Sequence, residues 1–324
     1  MVNVFASVLI AFFICVISGP LLIPVLRKLK FGQSILEIGP QWHAKKSGTP
    51  TMGGIIFILA AIITTLLLVK DVKVLIILAT SVAFGIIGFI DDYIKVVLKR
   101  NLGLTASQKF LAQTVAAVGF TIFLYHSGYI NNEIYVPFLS GLISLEWWIF
   151  IPFTVFVILA TVNSVNLTDG LDGLAAGITV AVSVFFTVVA FILKDYNTAA
   201  FSAAITGGCM GFLLFNAHPA KVFMGDTGSL FLGGAICSVA IALKMPLFLI
   251  IVGGIYLIET LSVIMQVTSF KFTGKRIFKM SPIHHHFEMI GWKETKVVTV
   301  FVTATIILCI IGFLGINNVV AFIQ

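Results

Sequence analysis

Five of the thirteen carboxylates in this chain stand in three short polar words: Asp91 and Asp92 in IDDYIK, Asp169 and Asp172 in NLTDGLDG, and Asp226 in MGDTGS. Only 10% of the residues are charged, and each word lies at the end of a long apolar stretch. Carboxylates placed this way suit the holding of a divalent cation by hard oxygens and, with basic neighbours, the handling of phosphate. Asp91 and Asp92 are adjacent, so on a helix they point about 100° apart and are unlike in task. Asn166, Asp169 and Asp172 are spaced by three and stack on one face if helical, with Gly170 and Gly173 leaving room for a ligand. GDTGS reads as a helix start, with Asp226 or Thr227 as N-cap and the glycines allowing a nest of backbone N–H groups. Asn216, His218 and Lys221 lie just upstream. A fourth word, MSPIHHHFE, carries His284, His285 and His286, which on successive residues cannot all ligate one metal from the same face. Beside Lys271, Lys275, Arg276 and Lys279 they suit a phosphate-rich ligand better.

Elements that position these words follow from composition. A mean hydropathy of +1.12, 59% hydrophobic residues and thirty Phe in 324 residues exclude a soluble globule and define a polytopic, all-α membrane protein. Crossing the hydrocarbon core takes roughly 20 helical residues. Ten apolar segments are expected as spans, at 3–26, 52–69, 74–90, 107–126, 147–165, 173–193, 198–216, 229–243, 245–268 and 297–322. With ten spans, sixteen of the twenty Lys and Arg collect on one side, leaving Lys70, Lys73, Lys194 and Lys244 on the other. The inside preference of basic residues then puts both termini outside and all five aspartates on the cytoplasmic face. The net charge of +7 is thereby accounted for without nucleic acid. Cys15, Cys209, Cys237 and Cys309 have no metal or redox spacing and read as small core residues. The first span has no basic leader or cleavage site before Pro20 and Pro24 and is expected to remain. One integral membrane domain, 1–324, is expected, with no internal repeat. Glu259, inside the ninth segment, is read chiefly as a structural carboxylate.

Five words in chain order now carry a resemblance: GTPTMGG (48–54), FIDDYIKVVLKRNLGLT (89–105), NSVNLTDGLDGL (163–174), FNAHPAKVFMGDTGSL (215–230) and MSPIHHHFE (280–288). The chain is similar over essentially its whole length to the phospho-N-acetylmuramoyl-pentapeptide transferase (MraY) family. That family lies within the polyprenyl-phosphate N-acetylhexosamine-1-phosphate transferases. The resemblance implies transfer of phospho-MurNAc-pentapeptide from UDP-MurNAc-pentapeptide to undecaprenyl phosphate, giving lipid I and UMP, in the bacterial cytoplasmic membrane with Mg²⁺ as cofactor. It implies Asp226 as metal ligand, and Asp91 and Asp92 facing the lipid phosphate or the metal. Asn166, Asp169, Asp172 and Phe223 match nucleotide-proximal positions. Lys46, Thr51 and Lys109 match nucleoside or phosphate contacts. His284, His285 and His286 match the sugar-phosphate side, with Asn216 nearby and His284 counted with the catalytic aspartates. A homodimer is compatible with the sequence and not specified by it.

Other classes make different demands. A related transferase for another UDP-N-acetylhexosamine shares the DD and NxxDGxDG themes but not GTPTMGG or HHHFE. A cation-coupled transporter predicts acids near the bilayer midplane of paired repeats. An intramembrane aspartyl protease requires a GxGD word that this chain lacks.

Overall fold

The computed structural model describes residues 2–28, 46, 48–98, 103–139 and 141–316. Lys30, Lys45, Lys99 and Arg100, which enter the orientation argument, lie outside them, as does the tail from 317. The elements in chain order are α1 (Val2–Lys28), α2 (Gly54–Leu68), α3 (Val72–Val96), α4 (Ala106–His126), β1 (Glu133–Tyr135), β2 (Leu142–Ser144), α5 (Trp147–Thr168) and α6 (Leu174–Ile192). They continue with α7 (Tyr196–Asn216), α8 (Gly225–Ala242), α9 (Leu249–Val252), α10 (Gly254–Thr273), α11 (Ile283–Met289) and α12 (Glu294–Leu314).

Among the described residues eight helices are long and apolar enough to cross a membrane: α1, α3, α5, α6, α7, α8, α10 and α12. Two of the ten expected segments are helical but fall short. α2 has 15 residues, and α4 carries Gln108, Lys109 and Gln113 in its first half. The ninth expected segment is not continuous. A 3₁₀ turn (Pro246–Phe248) leads into the single turn of α9, Gly253 interrupts, and α10 starts afresh. The mostly helical chain carries one short hairpin, where β1 and β2 pair antiparallel with Ile134 opposite Ile143. This hairpin binds the far end of α8 through Tyr135 N–H to the Lys244 carbonyl and a 2.8 Å Lys244–Glu133 ion pair.

The core sits around α8, nearly all of whose residues are buried. α3 and α5 pack on it, α2 adds a shoulder, and α1, α6 and α7 form the adjoining layer. Outer helices carry their apolar side chains outward. On α1, Phe5, Leu9, Phe13, Ile17, Leu21 and Val25 are all exposed, a stripe at spacing four that only a lipid environment satisfies. α3 reaches α8 at Gly88, where a Cβ would lie 2.1 Å from the Asp226 carbonyl oxygen. Glycine at that position lets the end of one helix abut the start of the other, which places Asp91 and Asp92 against Asp226.

Candidate active site

The C-terminal end of α3, the N-terminal ends of α4 and α8 and the end of α5 meet at one pole of the bundle. α4 begins in a full capping box, with Thr105 and Gln108 exchanging bonds, and this sets Lys109 in its first turn. Lys109 and Lys95 each bridge two carboxylates. Lys95 Nζ lies 2.7 Å from Asp91 and 2.8 Å from Asp226; Lys109 Nζ lies 2.8 Å from Asp226 and 3.4 Å from Asp91. Asn166 donates to Asp226 and to Ser229 Oγ, both at 2.8 Å, and its carbonyl accepts from Lys109 at 3.4 Å. Asp91 accepts a further bond from the Leu104 N–H at 2.7 Å. Two acids and two lysines thus form one compensated cluster at the pole, its aspartate Asp226 partly open to solvent.

Asp92 points elsewhere, as adjacency on a helix requires. Its carboxylate accepts from the N–H groups of Asp226 and Thr227 at 3.2 and 2.8 Å and from the Thr227 hydroxyl at 2.6 Å. The cap of α8 therefore comes from α3, and neither Asp226 nor Thr227 caps its own helix. Buried at 4% exposure with both oxygens engaged, Asp92 faces a helix end where sequence placed it toward phosphate or metal.

Asn166, Asp169 and Asp172 do not share a helix face, because α5 ends at Thr168 and residues 169–173 form a turn. Asn166 belongs to the lysine cluster. Asp172 looks the other way: it accepts from Lys46 Nζ at 2.7 Å and the Ala220 N–H at 3.1 Å, with His218 Nδ1 at 3.0 Å. Asp169 is half-buried between the two sets and has no side-chain hydrogen bond to a described residue. Burial, then the charges of Asp226, Asp92 and Asp172, push its carboxyl well above the usual range. On the side where a Cβ would stand, Gly170 makes room for the His284 ring, whose Nε2 lies 2.2 Å from that position.

Glu294, which sequence reasoning did not select, ties three loops together. Its Oε1 accepts from Lys46 Nζ at 2.6 Å and the Asp172 N–H at 2.7 Å, and its Oε2 lies 3.3 Å from His218. An isolated Glu at a helix start reads as an ordinary first-turn acid, so only contact distinguishes it. Asp172, His218 and Glu294 offer ligand atoms within 4.8 Å of one another and could hold a metal ion, although the Lys46 ammonium already binds two of the three. They border a cavity of about 730 Å³, lined also by Thr49, Trp292 and Lys293.

The remaining words close the site. Gly53 and Gly54 N–H groups donate to the carbonyls of Phe223 and Met224, and Phe223 N–H donates to Pro50, so GTPTMGG is laced to the entry of α8. Thr51 is buried beside Gly225 and Asp92. Asn216 is buried and spent on backbone, accepting from Gly173 N–H at 3.1 Å and donating to the Val222 carbonyl at 2.9 Å. The three histidines take three partners: His284 Nδ1 is 3.1 Å from Glu259, His285 Nδ1 is 2.8 Å from Glu288, and His286 accepts from the Lys279 N–H at 3.1 Å.

The fold and site define an integral-membrane enzyme with a compensated acid–lysine cluster at one pole. Residues 74–244 match the family described as glycosyl transferase family 4, and residues 46–58 match phospho-N-acetylmuramoyl-pentapeptide-transferase signature 1. A relative from Acetivibrio thermocellus is 52% identical over 319 residues, covering 97% of this chain and 96% of its own. Relatives from Clostridium novyi (52%; 98% of each chain) and Clostridium kluyveri (54%; 95% of this chain and 98% of its own) are as similar. All three bear the name phospho-N-acetylmuramoyl-pentapeptide-transferase. The chain belongs to this transferase family.

Proposed function

We propose that the protein transfers phospho-MurNAc-pentapeptide from UDP-MurNAc-pentapeptide to undecaprenyl phosphate, giving lipid I and UMP for peptidoglycan synthesis. In this reading the chain is one membrane domain of ten spans in the bacterial cytoplasmic membrane, with both termini outside and the site at the cytoplasmic face. The observation that carries it is the Asp91–Lys95–Asp226–Lys109 cluster with Asn166, in a chain of this family.

Attack of one phosphate on another brings polyanions together, so the main task is charge neutralisation. Lys95 and Lys109 are held by the aspartates in the position where incoming phosphate oxygens would take their N–H bonds. Mg²⁺ fits the donor set, because Asp226, Asp91 and Asp169 offer only hard oxygens and Asp226 is partly exposed. Asp226 would hold the ion, which when bound supplies electrophilic charge at the diphosphate. The His218-containing group is less suited to Mg²⁺, since it offers an imidazole nitrogen and is clasped by Lys46. Asp91 serves as an orienting acid more than as a base. A phosphate monoester has its second pKa at about 6 and is mostly dianionic at neutral pH. Three donors also engage the Asp91 carboxylate, which favours direct displacement over an aspartyl phosphate. Asp172, Lys46, Phe223 and Thr51 belong to the nucleoside side, and His285 and His286 to the sugar-phosphate side; Asp92 and Asn216 act by holding backbone.

The test is UMP release from UDP-MurNAc-pentapeptide by purified protein. Release is expected only with both Mg²⁺ and undecaprenyl phosphate, and its absence overturns the assignment.

A further inference from the structure

We infer that Glu294 is a positioning residue that sets nucleotide specificity: with Asp172 it clasps the Lys46 ammonium, so that Lys46 presents one N–H to a neutral oxygen of the donor's nucleoside and not its charge to a phosphate. The inference rests on the phosphotransferase reading above and adds to it a residue on α12 and the kind of atom that Lys46 meets.

Glu294 stands in the first turn of α12, where a glutamate ordinarily serves the positive end of its own helix. Here it turns to two other segments. Its Oε1 accepts from Lys46 Nζ at 2.6 Å and from the Asp172 N–H at 2.7 Å, and its side chain is only 8% exposed. Asp172, with a side chain 2% exposed, takes a second Lys46 N–H at 2.7 Å. An ammonium has three N–H donors. Two are therefore spent on carboxylates, and the third has no partner among the described residues. Lys46, Asp172 and Glu294 all line the cavity of about 730 Å³, so a ligand seated there reaches that donor.

Charge balance decides what the ligand atom is. At the pole, Lys95 and Lys109 share Asp91 and Asp226, two cations to two anions, and an incoming phosphate meets a neutral group. Around Lys46 one ammonium serves two carboxylates, and the cavity wall adds Glu288 and Lys293, one of each sign. His218, the remaining titratable group on the wall, lies 3.0 Å from Asp172 and 3.3 Å from Glu294 and is 41% exposed, where solvent screens it. A phosphate beside Lys46 is repelled by two nearly buried carboxylates, whereas a carbonyl or hydroxyl oxygen carries no charge and completes the third bond. In the nucleoside such an oxygen is a base carbonyl or the ribose 2′-hydroxyl.

The experiment compares wild type, Glu294→Gln, Glu294→Asp, Lys46→Met and the double variant Lys46→Met with Glu294→Gln, in detergent with Mg²⁺. It reads kcat, both KM values and the inhibition constants of UMP and 2′-deoxy-UMP. For Glu294→Gln the donor KM and the UMP inhibition constant are expected to rise about 10- to 100-fold, with kcat and the KM for undecaprenyl phosphate within about two-fold of wild type. Glu294→Asp should recover part of the rise. In the Lys46→Met background Glu294→Gln should add less than about two-fold, because the two side chains act as one unit. Parallel losses for UMP and 2′-deoxy-UMP assign a base carbonyl, and a loss confined to UMP assigns the 2′-hydroxyl. An unchanged or lowered donor KM in Glu294→Gln overturns the inference, a lowered one because the released ammonium then serves a phosphate. Additive losses in the double variant overturn it too, as does a fall in kcat with binding unchanged, which is what a packing role gives. Should Glu294→Gln fail to fold, Glu294→Asp withdraws the carboxylate by one methylene, and its donor KM is read by the same criteria. Absence of wild-type turnover removes the functional reading itself; wild-type turnover with any of the overturning results removes this inference alone.

Discussion

Asp226 accepts from Lys95, Lys109 and Asn166 at 2.8 Å each, more bonds than any other site aspartate receives from side chains alone. Asp226→Asn keeps the shape and removes the charge that gathers both lysines. Turnover is expected to fall about 100- to 1,000-fold with UMP binding retained, checked by UMP release alongside calorimetry. Mg²⁺-dependent turnover at the wild-type rate would refute the metal role. Asp169 behaves in the opposite sense. Its folded carboxyl titrates well above its unfolded value, so the native state binds the extra proton. The group costs nothing below the ordinary carboxylate range, and its cost grows as pH rises toward the folded value. In Mg²⁺-free buffer, Asp169→Asn is therefore expected to raise the thermal midpoint near pH 8 and to lose that advantage near pH 4. A midpoint difference that does not vary with pH would show that the carboxyl is not destabilised by its neighbours. The types of these residues were legible in the words that contain them; their partners were not, because Lys95–Asp226 and Asp172–Lys46 join positions more than 100 residues apart.

At the level of elements, the site depends on where helices end. Asp92 caps α8 across the α3–α8 contact, and that contact is close because position 88 is glycine. Gly88→Ala would force a Cβ onto the Asp226 backbone, costing about 1–3 kcal/mol of stability. It should also separate Asp91 from Asp226 and lower kcat although no site side chain has changed, and a variant with native midpoint and native kcat would show the contact to be slack. Apolar length gave the helices directly, since a span must satisfy its backbone internally. Spacing alone leaves the 169–173 segment open, because a spacing of three fits a helix as well as a tight turn with two glycines. The break before α10 left no signal either: Gly253 and Gly254 sit within an unbroken apolar run, and only packing decides whether such a pair bends the chain.

For the molecule as a whole, the cluster lies at one pole and the β1–β2 hairpin at the other, bound to the far end of α8. The four native cysteines are buried, so single introduced cysteines can report sidedness with little background. Lys279→Cys is expected to react with a membrane-impermeant maleimide only from the cytoplasmic side, and Lys194→Cys only from outside. Labelling of both from the same side would refute the orientation. The expectation of this orientation comes from the unequal distribution of Lys and Arg, a property of composition along the chain that requires no contacts.

Composition and apolar length by themselves determined a helical, membrane-embedded chain, and the order of five polar words determined its resemblance to the transferase family. Each of those is a local quantity, readable within a window of the chain. Tertiary structure alone decided that Asp92 caps a helix, that Asp172 and Glu294 clasp Lys46, and that Glu259 grips His284. The reason is physical: a buried charge is tolerated only with a partner, and which partner it meets is set by helix packing between segments far apart in sequence.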